Sequence, residues 1–280
     1  MKTQEVVGSF MADCRLRGLS RKTLMGYDQH TKKLIELSRK FPPKPDVIQE
    51  FLATLTLYNA DAYYRTFRAT DNYAHRRFKT KNFMKSVTRP HIPKQIMRTI
   101  SEIDLNLLAI YLQNAPLRDR AVVCLFIDTA IRKGEACNLK RKDVLEDRII
   151  IHGKTGYRVA PLSDVTKDLI LSLPSYDDDY VFHGRLGKPL GETGFYNIVK
   201  KYLRKIGYSG DKQFGPQLLR RSFGVFHLKD GGDLKSLSVI LGHSNITTTA
   251  NYYTPLLTED VIEIHHKHTP GRVFGNAIRQ

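Results

Sequence analysis

The sequence predicts a mainly α protein with a small antiparallel β-sheet, arranged as two domains. Apolar residues recur at helical spacing through most of the first ninety positions. A single alternating stretch, "RIIIHGKTGYRVAPL" (148–162), places Gly153 and Gly156 around a turn and predicts a hairpin. Between these regions "SVTRPHIPKQIMRTI" (86–100) mixes proline with basic residues and has no period, as a linker does. With 280 residues, 41% of them hydrophobic and 10% aromatic, the chain has enough apolar material for two folded cores.

The elements follow in order. Val6, Val7, Phe10, Met11 and Cys14 share one face of a first helix, which Gly18 ends. Ser20 is positioned to cap a second, whose inner stripe is Leu24, Tyr27, Thr31, Leu34 and Leu37. After the break "FPPKP" (41–45), Val47, Ile48, Phe51, Leu52 and Leu55 give a third helix, and 60–80 a fourth. The fourth interleaves Tyr63, Tyr64, Phe67 and Tyr73 with Arg65, Arg68, Arg76, Arg77 and Lys79. Its aromatics suit a core, while its arginines fit phosphate contact and plain solvation equally. These boundaries set a helical domain at 1–88, a linker at 89–100 and a second domain at 101–280. Ser101 and Asp104 form a capping-box pattern at its start. "AVVCLFIDTAIRKGEACNL" reads as a buried helix running into a turn. Beyond the hairpin, helices are expected at about 163–173, 193–206, 216–230, 233–241 and 246–253, the last capped by Asn245.

Net charge is +17, and it is uneven. Residues 1–90 carry 18 Lys and Arg against 8 Asp and Glu, and the rest carry 27 against 20. Charge alone leaves open a polyanionic partner and a basic but inert surface. The three cysteines, Cys14, Cys124 and Cys137, show neither a disulfide framework nor a zinc spacing, and Cys124 reads as a small core residue. "MKTQEVVGSFMADCRLRG" lacks the apolar core of a signal peptide, and no apolar run is long enough to span a membrane. A cytoplasmic protein is expected.

Chemistry concentrates in the last third. "RRSFGVFHLKDGGDLKSLSVILGHSNITTTANYY", from Arg220, holds an arginine, a Leu-Gly-His turn at 241–243 and a tyrosine nine residues after His243. Breaking a phosphodiester without a metal requires fixed donors for the charge on its oxygens, an in-line nucleophile and a proton for the leaving oxygen. Arginine suits the first task through its planar, permanently charged fork. Tyrosine can attack, given help in losing a proton held near pH 10. Each candidate alone has a plain reading. Arg132 can solvate a helix end, Lys154 can be an exposed turn lysine, His243 a capping histidine, and Tyr252 is one of 14 tyrosines.

Order and spacing say more. "DTAIRKGEACNLKRKDV" resembles the motif T-G-[LI]-R-x-x-E-[LA]-x-x-L-x-x-x-D-[IV] of the tyrosine recombinases, the phage integrase or Xer/Cre family. "HGKTGYRVAPL" is similar to that family's hairpin G-K-G-x-K-x-R-x-[VI]-P-L. "PQLLRRSFGVFHLKDGGDLKSLSVILGHSNITTTANYY" resembles H-x-L-R-[HR]-[ST]-F-A-x-x-[ML] followed by L-G-H-x-x-x-x-T-T-x-x-Y. "FMADCRLRGLSRKTLMGYDQHTKKLIEL" is similar to the family's core-binding domain, so the resemblance covers nearly the whole chain. It implies a helical, DNA-binding core-binding domain at 1–88 and a mixed α/β catalytic domain at 101–280. It implies Arg132 and Arg220 as the catalytic arginines, Lys154 as general acid, Gln217 and His243 as further donors, Tyr252 as nucleophile, and Glu135 as an orienting residue. The reaction implied is site-specific recombination of double-stranded DNA through a 3′-phosphotyrosyl intermediate, with no metal, ATP or other cofactor. A homotetramer on two DNA sites is implied as well, its protomers exchanging a C-terminal helix around Thr258–His268 through Val261, Ile262 and Ile264. His265, His266 and His268 in that tail read as a solvated basic face, with no ligand set to complete a metal site.

Two departures matter. Gln217 stands where the family has histidine; it can donate a hydrogen bond to a phosphate but cannot take up and pass on a proton. Tyr253 adjoins Tyr252, and helix neighbours point about 100° apart, so one of them at most faces a shared site. Two alternatives stay open: a type IB topoisomerase-like enzyme, against which the recombinase-like N-terminal domain argues, and an inactive DNA-binding factor, which Gln217 alone supports. The length leaves no room for the extra arm-binding domain of some integrases, which suggests Xer-like resolution or a small mobile-element integrase.

Overall fold

The computed structural model describes residues 1–93, 98–153, 156–208, 214–243 and 245–253. It divides into two compact units, Met1–Gln95 and Ile96–Gln280. The N-terminal unit consists of α1 (Thr3–Leu16), α2 (Arg21–Leu37), α3 (Pro45–Ala53) and α4 (Leu57–Phe78), followed by a 3-10 turn at Phe83–Ser86. The stripe Val6, Val7, Phe10, Met11 and Cys14 is buried, each large apolar side chain contributing roughly 1.5–3 kcal/mol. Gly18 takes the left-handed conformation (φ 66°) that lets the chain leave α1, and Ser20 Oγ accepts the Thr23 N–H at 3.3 Å to start α2. Pro45 opens α3, where its missing N–H has no intrahelical partner to lose. Tyr64 and Phe67 of α4 are buried, whereas Tyr63 and Tyr73 are half-buried against the same core.

The C-terminal unit consists of α5 (Glu102–Gln113), α6 (Leu117–Thr129), the single turn α7 (Lys133–Ala136), strands β1 (Arg148–Gly153) and β2 (Gly156–Pro161), then α8 (Asp164–Leu171), α9 (Glu192–Lys205), α10 (Pro216–Lys229), α11 (Leu234–Leu241) and α12 (Ile246–Tyr253). Ser101 caps α5 by accepting the Asp104 N–H at 3.1 Å. Ala121, Val122, Val123, Leu125 and Phe126 bury α6 on several faces, in keeping with its uninterrupted apolar run. Cys124 in that run is only half-buried, so the expectation of a core thiol holds in part. Phe126 meets Phe195 of α9 edge to face, with centroids 5.8 Å apart.

The strands pair antiparallel with Ile149 opposite Ala160 and Ile151 opposite Arg158. Ile149, Ile151 and Ala160 face the core, while Tyr157 and Val159 face outward. A smaller apolar cluster of Ala130, Val225, Leu237, Leu241 and Tyr253 joins the end of α6 to α10, α11 and α12. It seats the elements that carry the candidate residues. No helix among the described residues is long and apolar enough to cross a membrane.

Candidate active site

Arg132 stands at the N-cap of α7, just after Ala130 leaves α6 with φ 49°. Ala130 occupies the glycine position of the motif, and its left-handed turn presents its carbonyl to the Arg220 guanidinium. Glu135, three residues after Arg132, accepts the Arg132 N–H on Oε2 at 2.9 Å and the Arg132 guanidinium on Oε1 at 2.8 Å. That carboxylate both starts α7 and fixes the arginine's side chain.

Arg220 projects from α10 into the interior, 3% exposed. Its second hydrogen bond runs to the Leu241 carbonyl at 2.6 Å. Burial first, and Arg132 and Arg158 next, push its pKa down to about 9, which still leaves it charged at neutral pH. Gln217 lies three residues earlier, in the first turn of α10, and is exposed; that spacing puts it on the face of Arg220, nearer the helix N-terminus.

The end of α11 organises the remainder. Three consecutive carbonyls there each accept from a different guanidinium: Ile240 from Arg158, Leu241 from Arg220, and Gly242 from Arg132 at 3.4 Å. The last carbonyls of a helix have no intrahelical donor and sit at the negative end of its dipole, which suits them to gather cations. Gly242 then reverses the chain in the left-handed conformation (φ 63°), where a Cβ would also collide with Arg158. His243 follows. Its Nδ1 lies 2.8 Å from Oγ1 of buried Thr249 on α12, which fixes the ring. Burial, then Arg220, Arg132 and Arg158, lower its pKa to about 4, so the imidazole is neutral at physiological pH.

Thr249 and Tyr252 are three residues apart on α12 and share a face. Tyr252 is half-buried. Tyr253 is 2% exposed, with its ring lodged where a Cβ on Gly224 of α10 would sit; burial above all pushes its phenol up to about 12. The two rings meet at 5.0 Å. The arrangement thus brings Arg132, Arg220 and His243 around one helix end and links His243 to the helix of Tyr252. Lys154 lies outside the described residues, as does the C-terminal helix expected around 258–268. Among the described residues no cluster of three or more His, Cys, Asp or Glu side chains is placed to hold a metal.

Three guanidiniums against one carboxylate lie beside a neutral imidazole, which Thr249 ties to the helix of a half-buried phenol. The sequence pattern of the phage integrase family matches residues 93–259, more than half the chain. The chain belongs to that family, the tyrosine recombinases. It is 27% identical over 282 residues to "Tyrosine recombinase XerA" of Pyrococcus horikoshii, covering 94% of this chain and 93% of that protein. It is 26% identical over 280 residues to "Tyrosine recombinase XerD" of Vibrio cholerae, covering 91% and 92%. Its fold resembles the XerH site-specific recombinase bound to palindromic difH substrate, with a TM-score of 0.72 at 21% identity over 89% of this chain and 80% of that one. It also resembles a lambda integrase dimer bound to a core site, with a TM-score of 0.73 at 16% identity over 89% and 97%.

One member of the cluster carries no role in the sequence reading. Arg158 falls inside the hairpin motif, and its side chain is only 11% exposed, with Nη2 2.8 Å from Glu135 Oε2. Two signals marked it: the arginine that the hairpin motif has at this position, and strand alternation, since Arg158 is in phase with inward-facing Ala160 and Leu162, where an apolar residue is the rule. Glu135, expected to orient its neighbours, contacts both Arg132 and Arg158. Desolvation opposes its charge, but Arg158 and the hydrogen bonds from Arg132 outweigh it, so its carboxyl lies below the usual range.

Proposed function

We propose that this chain is a tyrosine-type site-specific recombinase, with Tyr252 as its nucleophile and double-stranded DNA as its substrate. The hydroxyl of half-buried Tyr252 releases its proton to solvent water as its oxygen attacks the scissile phosphate. A 3′-phosphotyrosyl ester forms, the bond to the 5′-oxygen breaks, and Lys154 protonates the departing 5′-hydroxyl. Arg132 and Arg220 carry the charge on the non-bridging oxygens, and His243 and Gln217 donate further hydrogen bonds. Attack by a partner strand's 5′-hydroxyl reverses the step and joins the exchanged strands, so the energy of the phosphodiester is kept and no cofactor is consumed. Four copies act together on two DNA sites, coupled by the C-terminal helix, in the cytoplasm.

One observation carries this reading: the three guanidiniums gathered at the end of α11, beside a neutral His243 that Thr249 ties to the helix of Tyr252. Between the two tyrosines, burial favours Tyr252. Tyr253 is enclosed, and its phenol is harder to ionise.

The test is an SDS-resistant adduct assay on supercoiled plasmid carrying the DNA that flanks the gene. Wild type and Tyr253→Phe should form the adduct, and Tyr252→Phe should not. Loss with Tyr253→Phe alone would move the nucleophile by one residue. Binding without any adduct would leave a DNA-binding factor, and plasmid relaxation without recombinant products would favour a topoisomerase.

A further inference from the structure

Arg158 takes no part in the reaction written above, yet it ties together three parts of the site. It sits on the inner face of the hairpin, opposite Ile151, where alternation elsewhere delivers apolar side chains. Its guanidinium donates to Glu135 at 2.8 Å and to the Ile240 carbonyl, and its Cδ fills the space a side chain at Gly242 would need. Glu135 in turn holds Arg132 through both its backbone N–H and its guanidinium. The Arg158 Nε is buried with no hydrogen-bond partner among the described residues. Replacing such a buried ion pair with apolar residues of similar volume is often neutral or stabilising, so packing alone does not account for an arginine here.

We infer that Arg158 is a positioning residue for DNA cleavage, which sets Arg132, through Glu135, against the α11 end that presents His243. This rests on the recombinase reading above. Arg158 touches neither the phosphate nor the nucleophile in this role. It supplies a fixed spacing: its planar fork spans the Glu135 carboxylate and the Ile240 carbonyl at once, which a lysine ammonium cannot reproduce. It also adds a cation to the field that keeps His243 neutral, behind desolvation and together with Arg220 and Arg132.

The full chain tests this with Arg158→Met, Arg158→Lys, Glu135→Gln, the Arg158→Met/Glu135→Gln pair and Tyr252→Phe. Four readouts are followed: the single-turnover adduct rate on supercoiled plasmid carrying the flanking DNA, affinity for that DNA, thermal unfolding, and the NMR titration of His243. Arg158→Met should lower the adduct rate about 100-fold while DNA affinity stays within about threefold. Arg158→Lys should recover part of that rate. The double variant should lose no more than the worse single variant, because both act through one contact. The His243 midpoint should rise in Arg158→Met and return in Arg158→Lys. An adduct rate within about threefold of wild type, losses that multiply in the double variant, or an unmoved His243 midpoint would each overturn the proposal. If Arg158→Met does not fold, Arg158→Lys decides: a slower adduct at unchanged affinity supports the role, and a wild-type rate refutes it. A Tyr252-dependent adduct in wild type with insensitive Arg158 variants sinks this proposal alone. No wild-type adduct sinks the recombinase reading and this role with it.

Discussion

Asp61 in the N-terminal unit and Glu135 in the C-terminal unit are both buried or nearly so, and each accepts from two arginines. Asp61 accepts from Arg65 at 2.8 Å and Arg89 at 3.0 Å, whose side chains are 65% and 61% exposed. Glu135 accepts from Arg132 and Arg158, both at 2.8 Å, with 41% and 11% exposed. The ion-pair distances are nearly the same, so distance does not separate the two clusters. What separates them is the second tether. In the C-terminal unit each guanidinium also reaches a carbonyl at the end of α11, whereas Arg65 and Arg89 extend into solvent. An exposed pair keeps its rotamer freedom and contributes up to about 1 kcal/mol. A doubly tethered guanidinium has already lost that freedom, so in the role proposed above it would meet a transition state without further reorganisation.

The largest effect that can test this contrast is at Arg220. Arg220→Ala should lower the adduct-forming rate about 10³-fold or more, roughly 4 kcal/mol of transition-state stabilisation, and leave the Ala130 and Leu241 carbonyls without a guanidinium. Arg220→Lys should lose most of the same rate despite keeping the charge, because one ammonium cannot satisfy both carbonyls in the plane of a fork. Single-turnover kinetics on bound DNA decide it. Wild-type speed in Arg220→Lys would mean that charge, and not tethering, is what the site requires.

The sequence shows the two clusters unequally. Helix phases, the Ser20, Ser101 and Asn245 caps and the hairpin register all follow from local rules, and the structure has them. Arg132, Arg220, His243 and Tyr252 were legible as a set because their spacing matches a motif. Convergence on the α11 carbonyls was not legible, because Ala130, Arg158 and Leu241 are brought together by packing across 111 residues of chain. Arg158 was half visible, as a charge in the inward phase of a strand. Motif spacing from His243 already favoured Tyr252 over Tyr253; the enclosure of Tyr253, whose ring takes the room that Gly224 leaves, was not legible. Arg65 and Arg89 gave no sign of sharing Asp61, since Arg89 lies 28 residues away in a stretch without periodicity.

A smaller, pH-dependent effect follows at His243. Its folded-state pKa of about 4 lies below the usual 6.5. Between those values the unfolded chain binds a proton that the folded protein does not. The associated stability is therefore complete above about pH 6.5 and is lost as pH falls toward about 4. The C-terminal unit should melt at lower temperature at pH 5 than at pH 7, and His243→Gln should flatten that slope. In the N-terminal unit Asp71, raised by desolvation, contributes with the opposite sign, and His30, lowered by desolvation and then Arg65, with the same sign. Thermal unfolding across this range, wild type against His243→Gln, measures the difference. An unchanged slope would show that burial and the neighbouring arginines do not hold His243 neutral.

The smallest expected effect lies at Arg65. Arg65→Ala removes one of the two partners of buried Asp61, but Arg89 remains at 3.0 Å, so the carboxylate is not left alone. Stability should change by no more than about 0.5 kcal/mol, despite the short distance. DNA affinity should fall, and the dependence of log affinity on log salt should become shallower by about one, as when one phosphate contact is lost. Affinity measured at several salt concentrations reads this directly. A lost contact with unchanged stability would show that the exposed arginines are held loosely enough to be shared between Asp61 and a phosphate. An unchanged slope would place Arg65 outside the DNA footprint, and burial alone would then distinguish the two clusters.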